Sequence, residues 1–132
     1  MNIDLINYRR KRAKEALADA KSIFEHASLF STVNRIYYAI FYQVVALLLT
    51  KDLTSKKHTG IRSLFNKEFV KTEIIQEELA EFYNRMFEFR QKDDYGDFVE
   101  FEKQKVKEWL NKTENFINRI EEVIENLTQE KK

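Results

Sequence analysis

The segment SLFSTVNRIYYAIFYQVVALLL, residues 28–49, decides the fold of this chain. Placed on a helix at 100° per residue, its polar side chains fall on one stripe, formed by Ser31, Arg35, Tyr38 and Tyr42. The opposite arc consists of Val33, Ile36, Tyr37, Ile40, Val44, Leu47 and Leu48. A helix that is apolar nearly all round is usually buried. The segment therefore predicts a core helix that carries an arginine and hydroxyls into or beside the interior.

Arg35 of this helix needs a partner, because an unpaired charge in a low-dielectric environment is costly. One alternative is an internal carboxylate, with Asp94 as the expected partner, in a bridge that holds the second and fourth helices together. The other alternative is an anionic ligand bound in a cleft. The first makes the polar stripe structural and the second makes it a binding site.

The composition favours long helices with short connections. The 132 residues include no proline and two glycines, so few turns can be built. A net charge of +1 favours no class of partner. The absence of cysteine excludes disulfides, cysteine nucleophiles and thiolate metal sites. The apolar run Ile36–Leu49 is shorter than the ~20 residues that span a bilayer, so we expect a cytoplasmic protein with no membrane segment.

The periodicity of apolar residues predicts five helices, over about Leu5–Ala27, Ser28 to Leu49 or Lys51, Lys57–Val70, Ile74–Arg90 and Val99–Leu127. Ser28 and Thr72 are the expected caps of the second and fourth helices. No repeat, linker or strand-length alternation is visible. We therefore expect one domain, residues 1–132, with an all-α fold: an antiparallel up-and-down bundle of four to five helices.

Two further polar elements accompany the first. The sequence KKHTG, residues 56–60, places His58 at the expected start of a helix, where an anion could bind and a histidine could move a proton. A capping or surface histidine is the alternative. Arg90 lies five positions before Tyr95 and has the fork geometry that suits a phosphate. Its alternative partner is Asp94, in an ion pair at the end of a helix.

The three elements together resemble the HEPN domain family, and the likeness is greatest to its small prokaryotic single-domain branch. The matching stretches are STVNRIYYAIF at 31–41, KHTGIRSLF at 57–65 and FRQKDDYG at 89–96. The likeness covers about Ala16–Asn118. It implies a helical bundle that is commonly a dimer with a cleft at the interface. It also implies work on RNA or nucleotides, often beside a minimal nucleotidyltransferase in toxin–antitoxin systems.

The resemblance also implies a set of site residues. Catalytic members of the family are metal-independent ribonucleases with an Arg-x(4–6)-His motif; here Arg90 matches the arginine and Tyr95 stands in place of the histidine. Arg90 and His58 are the expected catalytic residues. The expected ligand-binding residues are Arg35, Tyr38, Ser31, Asp94 and Tyr95. No metal site or cofactor is expected, because two distant histidines do not have metal-ligand spacing.

The leading hypothesis is an RNA- or nucleotide-binding, toxin-type protein that forms a homodimer and pairs with a nucleotidyltransferase, with metal-independent ribonuclease activity as its catalytic form. No DNA specificity is evident. The alternative is a non-catalytic helical interaction module whose Arg/Tyr/Asp network is structural. The basic run Tyr8–Lys14 could follow a phosphate backbone, but its charges spread around the helix, which favours a solvated face.

Overall fold

The computed structural model describes residues 1–26, 28–93 and 100–129, and these residues contain five α-helices and no β-strand. The helices are α1 (Ile3–Phe24), α2 (Leu29–Leu49), α3 (His58–Phe65), α4 (Glu77–Asp93) and α5 (Lys103–Gln129). A π-helical turn, Asn66–Val70, continues directly from α3. The predicted all-α class is confirmed.

The long helices run up and down. α1 and α5 are antiparallel, because Lys21 near the end of α1 bonds Glu114 while Arg10 near its start bonds the later Glu121. α4 and α5 are also antiparallel, since Gln76, just before α4, lies beside Arg119, whereas Phe89 packs on Trp109. The short α3 and the π-helical turn connect α2 to α4. The predicted antiparallel arrangement is confirmed.

α2 is the central helix and packs against α1, α3, α4 and α5. The arc that the sequence predicted to be apolar is buried, and Ile36, Ile40 and Val44 are 0% exposed. By length and composition alone α2 could cross a membrane, and it is the one helix in the described ranges that passes this test. However, 67% of its most apolar window is buried inside the bundle, which is the environment of a core helix.

The ends of the helices differ from the prediction in places. Ser28 caps α2 as expected, because its hydroxyl accepts a hydrogen bond from the Ser31 amide. The prediction that Thr72 caps α4 is wrong: its hydroxyl donates to the Glu68 carbonyl and so closes the preceding helical turn. α4 begins later, at Glu77, and α5 begins at Lys103 rather than at residue 99.

A polar network around Glu121 joins α1, α2 and α5. The Glu121 carboxylate accepts from Arg10 Nε at 2.8 Å and from Gln43 Nε2 at 3.1 Å, and Lys14 Nζ lies 3.0 Å away. Burial opposes ionisation of Glu121, but the hydrogen bonds from Arg10, Lys14 and Gln43 outweigh it and lower its pKa to about 2. Arg10 and Lys14 of the basic run Tyr8–Lys14 therefore bind the carboxylate of Glu121. For these two residues, the expectation of a merely solvated helix face is wrong.

Candidate functional site

Side chains from three helices meet where α2, α3 and α4 pack together. We call this group the arginine–aromatic cluster, and it comprises Tyr37, Tyr38 and Phe41 of α2, His58 of α3 and Arg90 of α4. Tyr37 is fully buried, whereas the other four side chains are half-buried and reach the surface. The fold thus brings together three residues that the sequence placed in separate motifs: Tyr38, His58 and Arg90.

His58 is held by one hydrogen bond and one stacking contact. Its Nδ1 lies 2.8 Å from the Tyr37 hydroxyl oxygen, and the two groups share a hydrogen bond. The Phe41 ring stacks on the imidazole with centroids 4.1 Å apart and an interplanar angle of 8°. These contacts fix the orientation of the ring, and they leave Nε2 as the ring nitrogen that can meet a ligand.

The environment of His58 disfavours its protonated form. Burial lowers the pKa of His58 from its ordinary value of 6.5, and the positive charge of Arg90 lowers it further. His58 is therefore neutral near pH 7. A neutral imidazole can accept a proton, so this environment favours the role of a base over the role of an acid that the sequence also allowed.

Tyr37 remains protonated, because burial raises the pKa of its hydroxyl well above the ordinary value of 10.0. A neutral hydroxyl can either donate to or accept from the imidazole. When His58 carries its proton on Nδ1, that nitrogen donates to Tyr37 Oη and Nε2 becomes an acceptor. Tyr37 is thus a positioning residue for His58. The sequence assigned it to the apolar arc, and no local pattern distinguishes its hydroxyl from an ordinary core tyrosine.

Arg90 lies across the two tyrosines of α2. Its guanidinium carbon is 5.3 Å from the centroid of Tyr37 and 5.7 Å from that of Tyr38. Its Nη2 donates a hydrogen bond of 3.4 Å to the Tyr38 hydroxyl. These contacts with two aromatic faces limit the position of the guanidinium.

Two more arginines flank the cluster. Arg35 places its guanidinium carbon 5.1 Å from the centroid of Tyr38. Arg62 of α3 lies 4.1 Å over Phe87 and donates a long hydrogen bond to Asn84. In the ranges that the structure describes, no carboxylate lies within 4.0 Å of the guanidinium nitrogens of Arg35 or Arg62. Arg35 and Arg62 therefore bring positive charge to the edge of the cluster, and Arg62 adds to the residues predicted for the site.

Three predicted site residues are not members of the cluster as the structure describes it. Ser31 is exposed at the start of α2, where its hydroxyl bonds Ser28, and it makes no contact with His58 or Arg90. Ser31 lies on the predicted stripe, two turns before Tyr38, and its role in ligand binding stays a prediction. Asp94 and Tyr95 fall outside the described residues. Within those residues, no group of three or more His, Asp or Glu side chains is placed to hold a metal.

Comparisons with known proteins agree on one family. The model of the HEPN domain matches residues 6–123. The chain is 54% identical over 123 residues to a protein of Thermotoga maritima named UPF0332 protein, with 93% of each chain covered. It is 36% identical over 132 residues to a protein of Methanocaldococcus jannaschii named Putative toxin MJ0142, covering 94% of this chain and 90% of that one. A second protein of that organism, named Putative toxin MJ0605, is 34% identical over 115 residues.

Proposed function

This chain belongs to the HEPN domain family, and from that premise we propose that it is a toxin-type, cytoplasmic protein that binds the phosphate of RNA or of a nucleotide at the arginine–aromatic cluster. The observation that carries the proposal is the convergence of Tyr38, His58 and Arg90 from three helices on one half-exposed surface. The names of the two Methanocaldococcus jannaschii relatives support the toxin-type role.

The charges around the cluster favour an anionic ligand. Arg35 contacts Tyr38 and Arg62 contacts Phe87, and neither arginine is neutralised by a carboxylate in the described part of the chain. A guanidinium fork donates two parallel hydrogen bonds to a phosphate. The hydroxyl of Tyr38 supplies a further polar group beside Arg90. A phosphate bound here could accept hydrogen bonds from Arg35 and Arg62, which no carboxylate of the described residues neutralises.

In its catalytic form, the same site would cleave RNA without a metal. The ribose 2′-hydroxyl attacks the adjacent phosphorus and gives its proton to His58 Nε2. The bond from phosphorus to the 5′-oxygen breaks, and the departing oxygen takes a proton from water, so that the products are a 2′,3′-cyclic phosphate and a 5′-hydroxyl. The hydroxide left by that water takes the proton from His58, which restores the neutral base. Arg90 stabilises the charge that develops on the phosphoryl oxygens, and Arg35 orients the phosphate.

The test is binding and turnover of a fluorescent oligoribonucleotide in EDTA. We expect Arg90→Ala to weaken binding by roughly tenfold or more, and Arg90→Lys, which keeps the charge but not the fork, to recover only part of the loss. We expect His58→Ala to abolish turnover while binding persists. Turnover by the wild type should rise with pH to a plateau, with a midpoint below 6.5, because the base must be unprotonated.

Two exposed residues provide matched controls. Arg85→Ala removes an arginine from the outer face of α4, and His26→Ala removes a histidine from the turn after α1. Both variants should behave as the wild type does. Equal binding by the Arg90, Arg85 and wild-type proteins would refute the phosphate site. Equal turnover by the His58 and His26 variants would refute the role of His58 as the base.

A second candidate function is an interaction module without chemistry. It is favoured by the packing of the cluster, in which the buried Tyr37 and the stacked His58 and Arg90 join three helices. In that case the protein would bind a nucleotidyltransferase, as the family resemblance suggests, and would be silent in the RNA assay. Copurification of such an enzyme with a protein inactive on RNA would favour this function.

We also propose that the protein forms a homodimer, which light scattering after size-exclusion chromatography tests directly.

A further inference from the structure

A groove of about 340 Å³ lies beside Arg35 at the junction of α1 and α2. Its lining consists of Ile23, Phe30, Ser31, Asn34 and Arg35. We propose that this groove, which we call the base groove, holds the nucleobase of the nucleotide whose phosphate binds the arginine–aromatic cluster. The proposal rests on the proposed function, and it adds a recognition site for the base.

The lining suits a flat ring with a hydrogen-bonding edge. Ile23 and Phe30 are half-buried apolar walls, and the Phe30 ring is held by an edge contact with Phe101 at 5.7 Å. The half-buried amide of Asn34 makes no hydrogen bond to residues 1–26, 28–93 or 100–129. That amide therefore offers both a donor and an acceptor to a ligand. Unstacked bases are recognised in this way, by ring contacts and by hydrogen bonds to their edges.

Arg35 connects the base groove to the cluster. It lines the groove, and its guanidinium also stacks on Tyr38, whose hydroxyl accepts from Arg90. A ligand that contacts both places through Arg35 must therefore join a flat ring to a phosphate, which is the chemistry of a nucleotide. The polar stripe Ser31–Arg35–Tyr38 would then run along the ligand, with Ser31 near the base and Tyr38 near the phosphate.

The amide of Asn34 also indicates which base is preferred. An asparagine amide can pair with adenine through two hydrogen bonds, one to N6 and one to N7. We expect adenine to bind more tightly than uracil by roughly tenfold, because a good bidentate contact to a base discriminates by about that factor or more. Bare phosphate groups should not use Asn34 at all.

The experiment measures equilibrium binding of four probes by calorimetry: pyrophosphate, 5′-AMP, and 2′-O-methyl tetraadenylate and tetrauridylate, which cannot be cleaved through a 2′-hydroxyl. We expect Asn34→Ala and the similarly sized, uncharged Asn34→Leu to lose most of the preference for adenine and to leave the affinity for pyrophosphate unchanged. Asn118→Ala, an exposed asparagine on α5, is the matched control. Thermal unfolding of each variant verifies that it is folded.

The outcomes separate the two proposals. If the wild type binds pyrophosphate through Arg90 but shows no preference between the tetranucleotides, or if Asn34→Ala keeps that preference, the base groove is refuted and the phosphate site stands. If the wild type binds none of the probes, both are refuted. Given the expected preference, equal affinity for 5′-AMP and tetraadenylate identifies a free nucleotide as the ligand, and tighter binding of tetraadenylate identifies an RNA strand.

Discussion

His58 has an environment that differs from that of an exposed histidine in three respects: a buried ring edge, a stacked phenylalanine and a nearby guanidinium. Burial is the larger cause of its lowered pKa and Arg90 the smaller. We expect NMR titration of His58 to give a midpoint below 6.5. The Arg90→Gln variant should move that midpoint upward without restoring 6.5, because burial remains.

The His26→Gln variant assigns the two histidine signals in this titration. A midpoint at or above 6.5 would contradict the geometry, and so would a midpoint that Arg90→Gln leaves unchanged.

The lowered pKa of His58 also determines how the stability of the fold depends on pH. Because the folded state resists protonation of His58, its contribution to stability is present above pH 6.5 and is lost as the pH falls through and below that value.

Gly60, the third residue of α3, is required for a close contact with the preceding loop. A Cβ atom built on Gly60 would collide with the Ser55 hydroxyl and lie 2.8 Å from the Ser55 Cβ. Alanine usually favours a helix over glycine by roughly 1 kcal/mol, but the collision reverses the sign. We expect Gly60→Ala to lower the free energy of unfolding by about 1–2 kcal/mol in urea titrations.

A double-mutant cycle isolates this contact. In the Ser55→Gly background the obstructing side chain is absent, so Gly60→Ala should be neutral or stabilising there. An equal loss of stability in both backgrounds would show that the collision is not the cause. Because α3 begins with His58, a shift of α3 in the Gly60→Ala protein should also weaken the hydrogen bond between His58 and Tyr37.

At the scale of helices, the start of α2 depends on one side chain. The Ser28 hydroxyl accepts from the Ser31 amide at 3.1 Å and so satisfies a donor that the helix itself leaves free. We expect Ser28→Ala to lower the free energy of unfolding by about 1 kcal/mol. Ser22→Ala, at an exposed position inside α1, is the matched control and should change stability by less than about 0.5 kcal/mol. Equal effects of the two substitutions would contradict a capping role.

The contrast between Ser28 and Thr72 shows which helix ends local sequence can predict. Both residues have capping side chains and both precede apolar periodic segments. Ser28 has the extended backbone of a cap, whereas the Thr72 hydroxyl bonds back to Glu68 in the helical turn before it. The π-helical turn carries the chain past the point where a cap was expected. Apolar periodicity therefore predicted the number and order of helices, and tertiary packing decided where α4 begins.

The sequence named most residues of the candidate site individually, but it did not show which of them lie together in the fold. The motifs identified Arg35, Tyr38, His58 and Arg90, because charged and polar groups on a mostly apolar helix, or before one, are conspicuous. Tyr37 was not identified, since it looks like any other core residue, and its role depends on a histidine 21 positions later. Ser31 was grouped with Tyr38 because they share a stripe, although residues on one stripe can serve neighbouring sites along the helix axis.

For the whole molecule, the Glu121 network makes stability sensitive to acid. The carboxyl has a pKa of about 2 in the fold against 4.5 ordinarily, so its contribution is present above pH 4.5 and is lost as the pH falls toward 2. We expect Glu121→Gln to cost roughly 2–3 kcal/mol at pH 7 and much less at about pH 3, measured by urea unfolding.

Glu114→Gln is the control for this prediction. Glu114 pairs with Lys21 on the surface, where its side chain is 48% exposed, and such pairs contribute about 0–1 kcal/mol. Its substitution should have a small effect at both pH values. A cost of Glu121→Gln that does not change between them would show that the ionised carboxylate is not what stabilises the contact of α1 and α2 with α5.

The position of α2 has a consequence for how this protein can diverge. One face of this helix fills the interior, and the adjoining face supplies Arg35, Tyr38 and Phe41 to the site. A substitution on α2 that retunes ligand preference therefore also perturbs the packing on which folding depends. The same coupling holds for α3 and α4, which contribute His58, Arg62 and Arg90, because Phe65 of α3 and Tyr83 of α4 are fully buried.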